Sequence, residues 1–201
     1  MQLVLATNNR DKIREIKDLL DDLPVTILTR DDFLEFPDPE ETGSTLEENA
    51  IIKAKEISEF CELPALADDS GLEVDELGGA PGVYSSRYAG DDVTYADNNS
   101  KLIRELKDVP EDKRTARFRC VIAVAWDSTE IQMVEGQADG VITRDIAAGN
   151  GFGYDPLFFY PPTGKRFSEM TLEEKNLVSH RGKALQEART LIIERLNQKR
   201  G

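Results

Sequence analysis

Histidine and cysteine are scarce in this chain: one His and two Cys stand among 201 residues. Cys61 and Cys120 lie far apart in apolar surroundings and match no metal-ligand spacing, which excludes a thiolate zinc site. They are expected to be small core hydrophobes of a reducing compartment rather than a disulfide. No run of about 18 apolar residues occurs, so no membrane-spanning helix is predicted. Met1 to Ala6 is apolar but has neither a basic n-region nor a long h-region, so it is expected to be a first strand, not a signal peptide, in a cytoplasmic protein. Positive charge is also short. Lys and Arg total 25 against 39 Asp and Glu, a net charge of -14. That balance excludes binding a nucleic-acid polymer through phosphate neutralisation. A small phosphorylated ligand needs only a local cluster of cations and stays open. Repeats and low-complexity tracts are absent. With 39% hydrophobic and 32% charged residues, the composition is that of an ordinary folded protein, long enough for one domain or two packed lobes.

The centre of what is present is Ala65-Leu66-Ala67-Asp68-Asp69-Ser70-Gly71-Leu72. A short apolar run leads into two adjacent carboxylates, a hydroxyl and a glycine, the pattern of a buried strand delivering its last side chains to a loop. Ligand clefts in open α/β sheets form at such strand ends. Two neighbouring carboxylates repel unless a cation or a proton relieves them. One reading is therefore an acidic pair that binds Mg²⁺ and activates water. The other is an Asx-turn in which Asp69 and Ser70 bond the backbone and Gly71 supplies a positive φ.

Upstream, Leu3 to Ala6 reads as a strand broken by Thr7-Asn8-Asn9, and Ile13, Ile16, Leu19 and Leu20 have helical spacing from Asp11 onward. Asn8 or Asn9 then caps that helix, and its first-turn N–H groups form an anion site that Lys12 can reach. A capped helix with a solvated lysine accounts for the same residues. Val25 to Leu28 reads as a second strand. An acidic, proline-bearing loop ends in Glu40-Glu41-Thr42-Gly43, where Ser44 or Thr45 caps a helix with Glu47 or Glu48 in a capping box. Leu46, Ala50, Ala54 and Ile57 share its apolar face, with Lys53 and Lys55 placed elsewhere. The Glu40-Glu41 pair offers a second oxygen donor for a metal at Asp69, since Mg²⁺ takes one or two carboxylates and completes its shell with water and phosphate.

Beyond the acidic pair, a loop with Gly78, Gly79, Pro81 and Gly82 leads to a helix over Asp97 to Leu106. Alternation predicts a long strand over Thr115 to Trp126, followed by two more over Thr129 to Val134 and Gly140 to Thr143. Gly149 to Pro156 flanks Phe152 with glycines, which suits a ring stacking on a planar ligand and equally suits a loop with its aromatic in the core. Asp155 is held extended by Pro156. Leu157 to Tyr160 reads as a strand. A short acidic turn with Lys175 precedes Ser179-His180-Arg181, which opens a final amphipathic helix. Two basic residues in a first turn oppose the helix dipole, a placement that a bound anion would explain. The fold class expected is α/β, an elongated mixed sheet flanked by helices in two lobes around a cleft, all within a single domain over 1–201.

Taken together and in this order, Thr7-Asn8-Asn9 with Lys12, Glu41-Thr42-Gly43 with Lys53, Asp68 to Leu72, Gly78 to Gly82, Phe152 to Pro156 and Ser179-His180-Arg181 closely resemble the inosine triphosphate pyrophosphatase family. The resemblance runs from Leu3 to the final helix. It implies that the cleft is nucleotide-binding, in a homodimeric, Mg²⁺-dependent cytoplasmic enzyme that hydrolyses dITP, ITP and XTP to the monophosphate and pyrophosphate. By position, Asp69 is the implied proton acceptor and metal ligand, and Glu40 the second metal carboxylate, with Glu41 or Asp68 as alternatives. Thr7, Asn8, Asn9, Arg10, Asp11, Lys12, Lys53 and Ser70 are implied to hold the phosphates. Phe152, Gly153, Tyr154, Asp155, Lys175, His180 and Arg181 are implied to hold the nucleoside. Two other readings fit the same motifs less well, a nucleotide sensor without turnover and a pyrophosphatase for another modified nucleotide.

Overall fold

The structure is a computed structural model and describes residues 1–198. The last three residues of the single 1–201 domain expected from sequence lie outside the described residues. Seven strands form one mixed sheet: β1 (Gln2–Leu5), β2 (Thr26–Leu28), β3 (Ala65–Val74), β4 (Thr115–Ala125), β5 (Ile131–Ile142), β6 (Phe158–Tyr160) and β7 (Lys165–Arg166), in the order β2-β1-β3-β4-β5-β6-β7. β1 runs parallel to both β2 and β3, while β6 is antiparallel to β5 and β7. Five α-helices flank the sheet: α1 (Arg10–Leu20), α2 (Leu46–Cys61), α3 (Tyr95–Glu105), α4 (Leu172–Val178) and α5 (His180–Gln198). The α/β class with a mixed sheet is as the sequence predicts. No helix among the described residues is long and apolar enough to cross a membrane.

Four local features depart from the sequence reading. First, β3 does not end at the acidic pair; it continues through Asp68, Asp69, Ser70 and Gly71 to Val74. The turn-like composition is overridden because Leu72 and Val74 are themselves fully buried and extend the apolar strand beyond it. Second, Lys53 lies on the buried face of α2 with Leu46, Asn49, Ala50, Ala54 and Ile57, not away from it. Third, the two strands expected over Thr129 to Thr143 are one strand, β5. Its middle alternates outward Glu135, Gln137 and Asp139 with inward Gly136, Ala138 and Gly140. Small residues are required there: a Cβ at Gly140 would stand 2.5 Å from the Phe158 ring. Fourth, α3 starts two residues before Asp97, because Thr94 and Asp97 close a capping box around its first turn.

The chain divides into two compact units. The first comprises Met1–Asp69, Cys120–Gly136 and Arg181 onward; the second comprises Ser70–Arg119 and Gln137–His180. Each has its own core. In the first, Leu3, Leu5 and Leu66 pack with Ile16 and Leu20 of α1, Cys120, Ile122 and Val124 of β4, and Leu185, Ala188 and Ile192 of α5. Each fully buried Leu or Ile contributes about 1.5–3 kcal/mol relative to exposure. In the second, Leu72, Leu102, Leu106, Phe118, Ile142, Leu157, Phe158 and Phe167 do the same. Cys120 belongs to the first core and Cys61 is partly exposed; both are unbridged, as the spacing predicts.

Candidate active site

In the first unit, functional side chains gather around the middle of β3. Strand geometry sends neighbouring side chains to opposite faces, so Asp68 and Asp69 meet different partners. Asp68 is buried and takes Lys12 Nζ at 3.0 Å and Arg181 Nε at 3.1 Å on its Oδ2. Burial alone would raise its carboxyl, but Lys12, Arg181 and Lys53 together hold it well below the usual carboxylate range. Asp69 accepts from Lys53 Nζ at 2.7 Å through Oδ1, and here burial prevails, so its carboxyl is pushed up. Adjacent aspartates therefore carry opposite perturbations, which is how a fold divides roles between two like groups.

Lys53 is the hub of this set. Its ammonium also donates to Glu41 Oε1 at 2.8 Å and to the Asp68 carbonyl at 2.9 Å. Burial would lower its pKa, yet Asp69, Glu41 and Asp68 raise it, so the charge is retained. The loop that carries Glu41 is fastened to α2 next to it. Gly43 N donates to Asn49 Oδ1 at 2.8 Å, and both the Ser44 backbone N–H and its hydroxyl donate to Glu48. Glu40 is exposed and precedes the residue that reaches Lys53. Two carboxylates sharing one ammonium show where hard oxygen donors converge, and that donor set fits an oxygen-liganded divalent cation. Among the described residues no group of three or more His, Cys, Asp or Glu is arranged to hold a metal. Asp69 and Glu41 would thus supply only part of a coordination shell.

The turn before α1 matches its sequence reading. Asn9 caps the helix, its Oδ1 accepting from Asp11 N at 2.9 Å and Lys12 N at 3.3 Å, and Thr7 Oγ1 accepts from Asn9 N. Asn8 Nδ2 donates to Asp38 at 3.1 Å. Arg10 is exposed in the first turn beside Asp11. Arg181, grouped in sequence with the nucleoside residues, lies in this unit. Its guanidinium is 2% exposed as a residue and held between Asp68 and Glu15, whose Oε2 accepts from Nη1 at 2.5 Å. Burial would lower its pKa, but the two carboxylates raise it. No motif in the sequence marks Glu15. Its signal is slight: it precedes Ile16 on the apolar side of α1 and is buried like it.

In the second unit a different set surrounds Phe152. Asp155 Oδ2 accepts from the Phe152 backbone N–H at 2.9 Å and from Lys175 Nζ at 2.7 Å, and both charged side chains are buried. The Lys175 ammonium stands 4.5 Å from the Phe152 ring centroid. Gly151 has φ +94°, and a Cβ there would lie 2.4 Å from Asp155 Oδ2, so only glycine permits this turn. Tyr154 donates its hydroxyl to the Ser85 carbonyl at 2.9 Å, and Gly153 gives its carbonyl to Asn99 Nδ2 at 3.0 Å. His180 stacks on Phe118 with centroids 4.5 Å apart and planes 8° from parallel. Ser70 follows Asp69 directly in β3 and belongs to this unit.

The structure thus gathers Lys12, Lys53, Asp69 and Arg181 in one set, and Phe152, Gly153, Tyr154, Asp155, Lys175 and His180 in the other unit. Solved structures share this fold. A HAM1 protein from Coxiella burnetii superposes with TM-score 0.88 at 42% identity, over 96% of this chain and 99% of that one. A nucleoside-triphosphatase / dITP/XTP pyrophosphatase from Mycobacterium abscessus gives 0.72 at 36% identity, over 96% and 97%. In sequence, the dITP/XTP pyrophosphatase of Desulforamulus reducens is 50% identical over 192 residues, 96% of each chain. That of Escherichia coli K12 is 51% identical over 187 residues, 92% of this chain and 94% of the relative. The family profile matches residues 3–191, nearly end to end and across both units, and the chain belongs to the Ham1 family.

Proposed function

We propose that this protein is a nucleoside triphosphate pyrophosphatase that hydrolyses the noncanonical purine nucleotides dITP, ITP and XTP to the monophosphate and pyrophosphate. It would thereby clear them from the nucleotide pool, acting as a Mg²⁺-dependent homodimer in the cytoplasm, with both units serving one catalytic domain. The observation that carries this reading is the Asp69–Lys53–Glu41 group, in which a buried, perturbed carboxylate stands beside a buried cation. Relatives at half identity named dITP/XTP pyrophosphatases support the substrate class.

Phosphoryl transfer needs positioning and charge neutralisation more than covalent chemistry. Lys12, Lys53 and the backbone N–H groups of the Thr7–Lys12 turn, with Ser70, would bind the triphosphate. When bound at Asp69 and Glu41, Mg²⁺ supplies further charge neutralisation and makes water more acidic. Asp69 takes the proton of the attacking water on Oδ2, the carboxylate oxygen that Lys53 does not engage. The water oxygen bonds to the α-phosphorus, the α–β phosphoanhydride bond breaks, and pyrophosphate leaves. Phe152 would stack on the base, Lys175 would stay oriented by Asp155, and His180 would be fixed by its stack on Phe118. Arg181 would act through Asp68, holding it ionised next to the reacting aspartate. A 6-oxo purine presents an acceptor where adenine presents a donor, so a site offering donors rejects adenine by about 10⁴-fold or more.

Incubation with Mg²⁺ and a panel of triphosphates tests the proposal directly. Pyrophosphate release from dITP, ITP and XTP well above that from dATP and dGTP is expected. Orthophosphate as the product, or equal rates on all bases, would refute it.

A further inference from the structure

The Phe152 loop is tied to α3 by two contacts that none of the motifs above contains. The Tyr95 ring lies 6.1 Å from the Phe152 ring, tilted by 43°. One helical turn on, Asn99 Nδ2 donates to the Gly153 carbonyl at 3.0 Å. Residues four apart share a helix face, so one side of α3 addresses both the Phe152 ring and the Gly153 carbonyl. The two side chains differ in burial. Asn99 is 4% exposed, as a structural tether should be, and its Oδ1 accepts no hydrogen bond among the described residues. Tyr95 is 44% exposed in the first turn of α3, so core packing does not account for an aromatic there. A partly exposed aromatic in contact with the half-buried Phe152 is instead the composition of a stacking surface for a planar base.

We propose that Tyr95 is a second aromatic wall of the nucleoside site and that Asn99 is a positioning residue that sets the height of the Phe152 loop against it. This rests on the purine nucleotide reading above and extends it. Tyr95 contributes a ring face to the base; Asn99 touches no substrate and acts through Gly153. Both effects fall on binding of the base and not on phosphoryl transfer, whose reacting aspartate and fixed lysine, Asp69 and Lys53, lie in the first unit.

Steady-state kinetics on dITP, with calorimetric binding of deoxyinosine monophosphate, decide the matter. Tyr95→Ala raises KM and the monophosphate Kd by about tenfold with kcat little changed, and Tyr95→Phe restores both. Asn99→Leu, which keeps the volume and removes the amide, raises KM in the same sense with the protein's melting temperature near that of wild type. Unaltered KM and Kd in Tyr95→Ala, or equal effects of Tyr95→Ala and Tyr95→Phe, overturn the wall. A fall in kcat with unchanged KM in Asn99→Leu overturns the positioning role. The wild-type enzyme separates this from the broader reading: pyrophosphate release with a normal KM in Tyr95→Ala refutes the wall alone, whereas no release from any purine triphosphate refutes both.

Discussion

The Lys53 ammonium donates to the Asp69 carboxylate across 2.7 Å, with both side chains about nine-tenths buried. A permanent cation is thereby fixed beside a carboxylate whose proton affinity is raised, so the base is oriented without being silenced. Asp69→Asn keeps the shape and a partner for neighbouring groups but removes the base. It is expected to lower kcat for dITP by about 10²–10⁴-fold, with the melting temperature near that of wild type. Pyrophosphate release and a thermal scan check both.

The second carboxylate of the set is Glu41, which shares Lys53 with Asp69, while its neighbour Glu40 is exposed. Glu41→Gln is expected to raise the Mg²⁺ concentration for half-maximal activity by roughly tenfold. Glu40→Gln should leave the metal titration as in wild type. The opposite ranking would transfer the metal role to Glu40.

Arg181 holds Asp68 and Glu15 in a buried triad. Removing its charge takes a shared counter-cation away from two buried carboxylates. Arg181→Met is therefore expected to cost about 3–5 kcal/mol in urea unfolding, with Arg181→Lys intermediate. The dITP to dATP rate ratio of Arg181→Lys gives an independent reading, since a guanidinium that donates to the purine would narrow it on replacement.

Asp68 and Asp69 respond to acid in opposite senses. Asp68 sits below its unfolded value, so the stability of its ionised form is complete above about pH 4 and drains away as pH falls toward the folded value. Asp69 is raised and binds its proton more tightly when folded, so its part of the stability declines as pH climbs from about 4 through its folded value. Urea unfolding between pH 3 and 7 should show an acid-side loss that is shallower in Asp68→Asn. An unchanged acid slope in that variant would contradict the assignment.

Phe152 is half-buried beside Lys175, with its backbone fixed by Asp155. Phe152→Ala is expected to raise KM for dITP by about tenfold with a small change in stability. A marked drop in melting temperature at constant KM would return the ring to the core of the second unit.

Much of this was legible in the sequence because the signals are local. Asn9 and Thr45 announce their helices by capping chemistry, and alternation gives the long strand from Thr115. The acidic pair was visible as chemistry, but its place within a strand was not, since Asp-Ser-Gly has turn composition and only the buried Leu72 and Val74 carry the ladder past it. A charge among alanines looks solvated, so the sequence of α2 alone places Lys53 off its apolar face. Its burial depends on Glu41 and Asp69, which come from distant segments and cannot be read from α2 alone. Glu15, Tyr95 and Asn99 escaped for the same reason: each has its meaning only through a partner more than fifty residues away.

The pleat of β3 hands two neighbouring acids to opposite neighbours, and the backbone register is pinned where Val4 pairs with Ala65 and Leu5 with Leu66. Between that anchor and the acids there is room for Ala67 only. A single inserted or deleted codon there would turn the strand over and send each carboxylate to the other's cations. The spacing from Leu66 to Asp69 is therefore a length that the site requires to the residue.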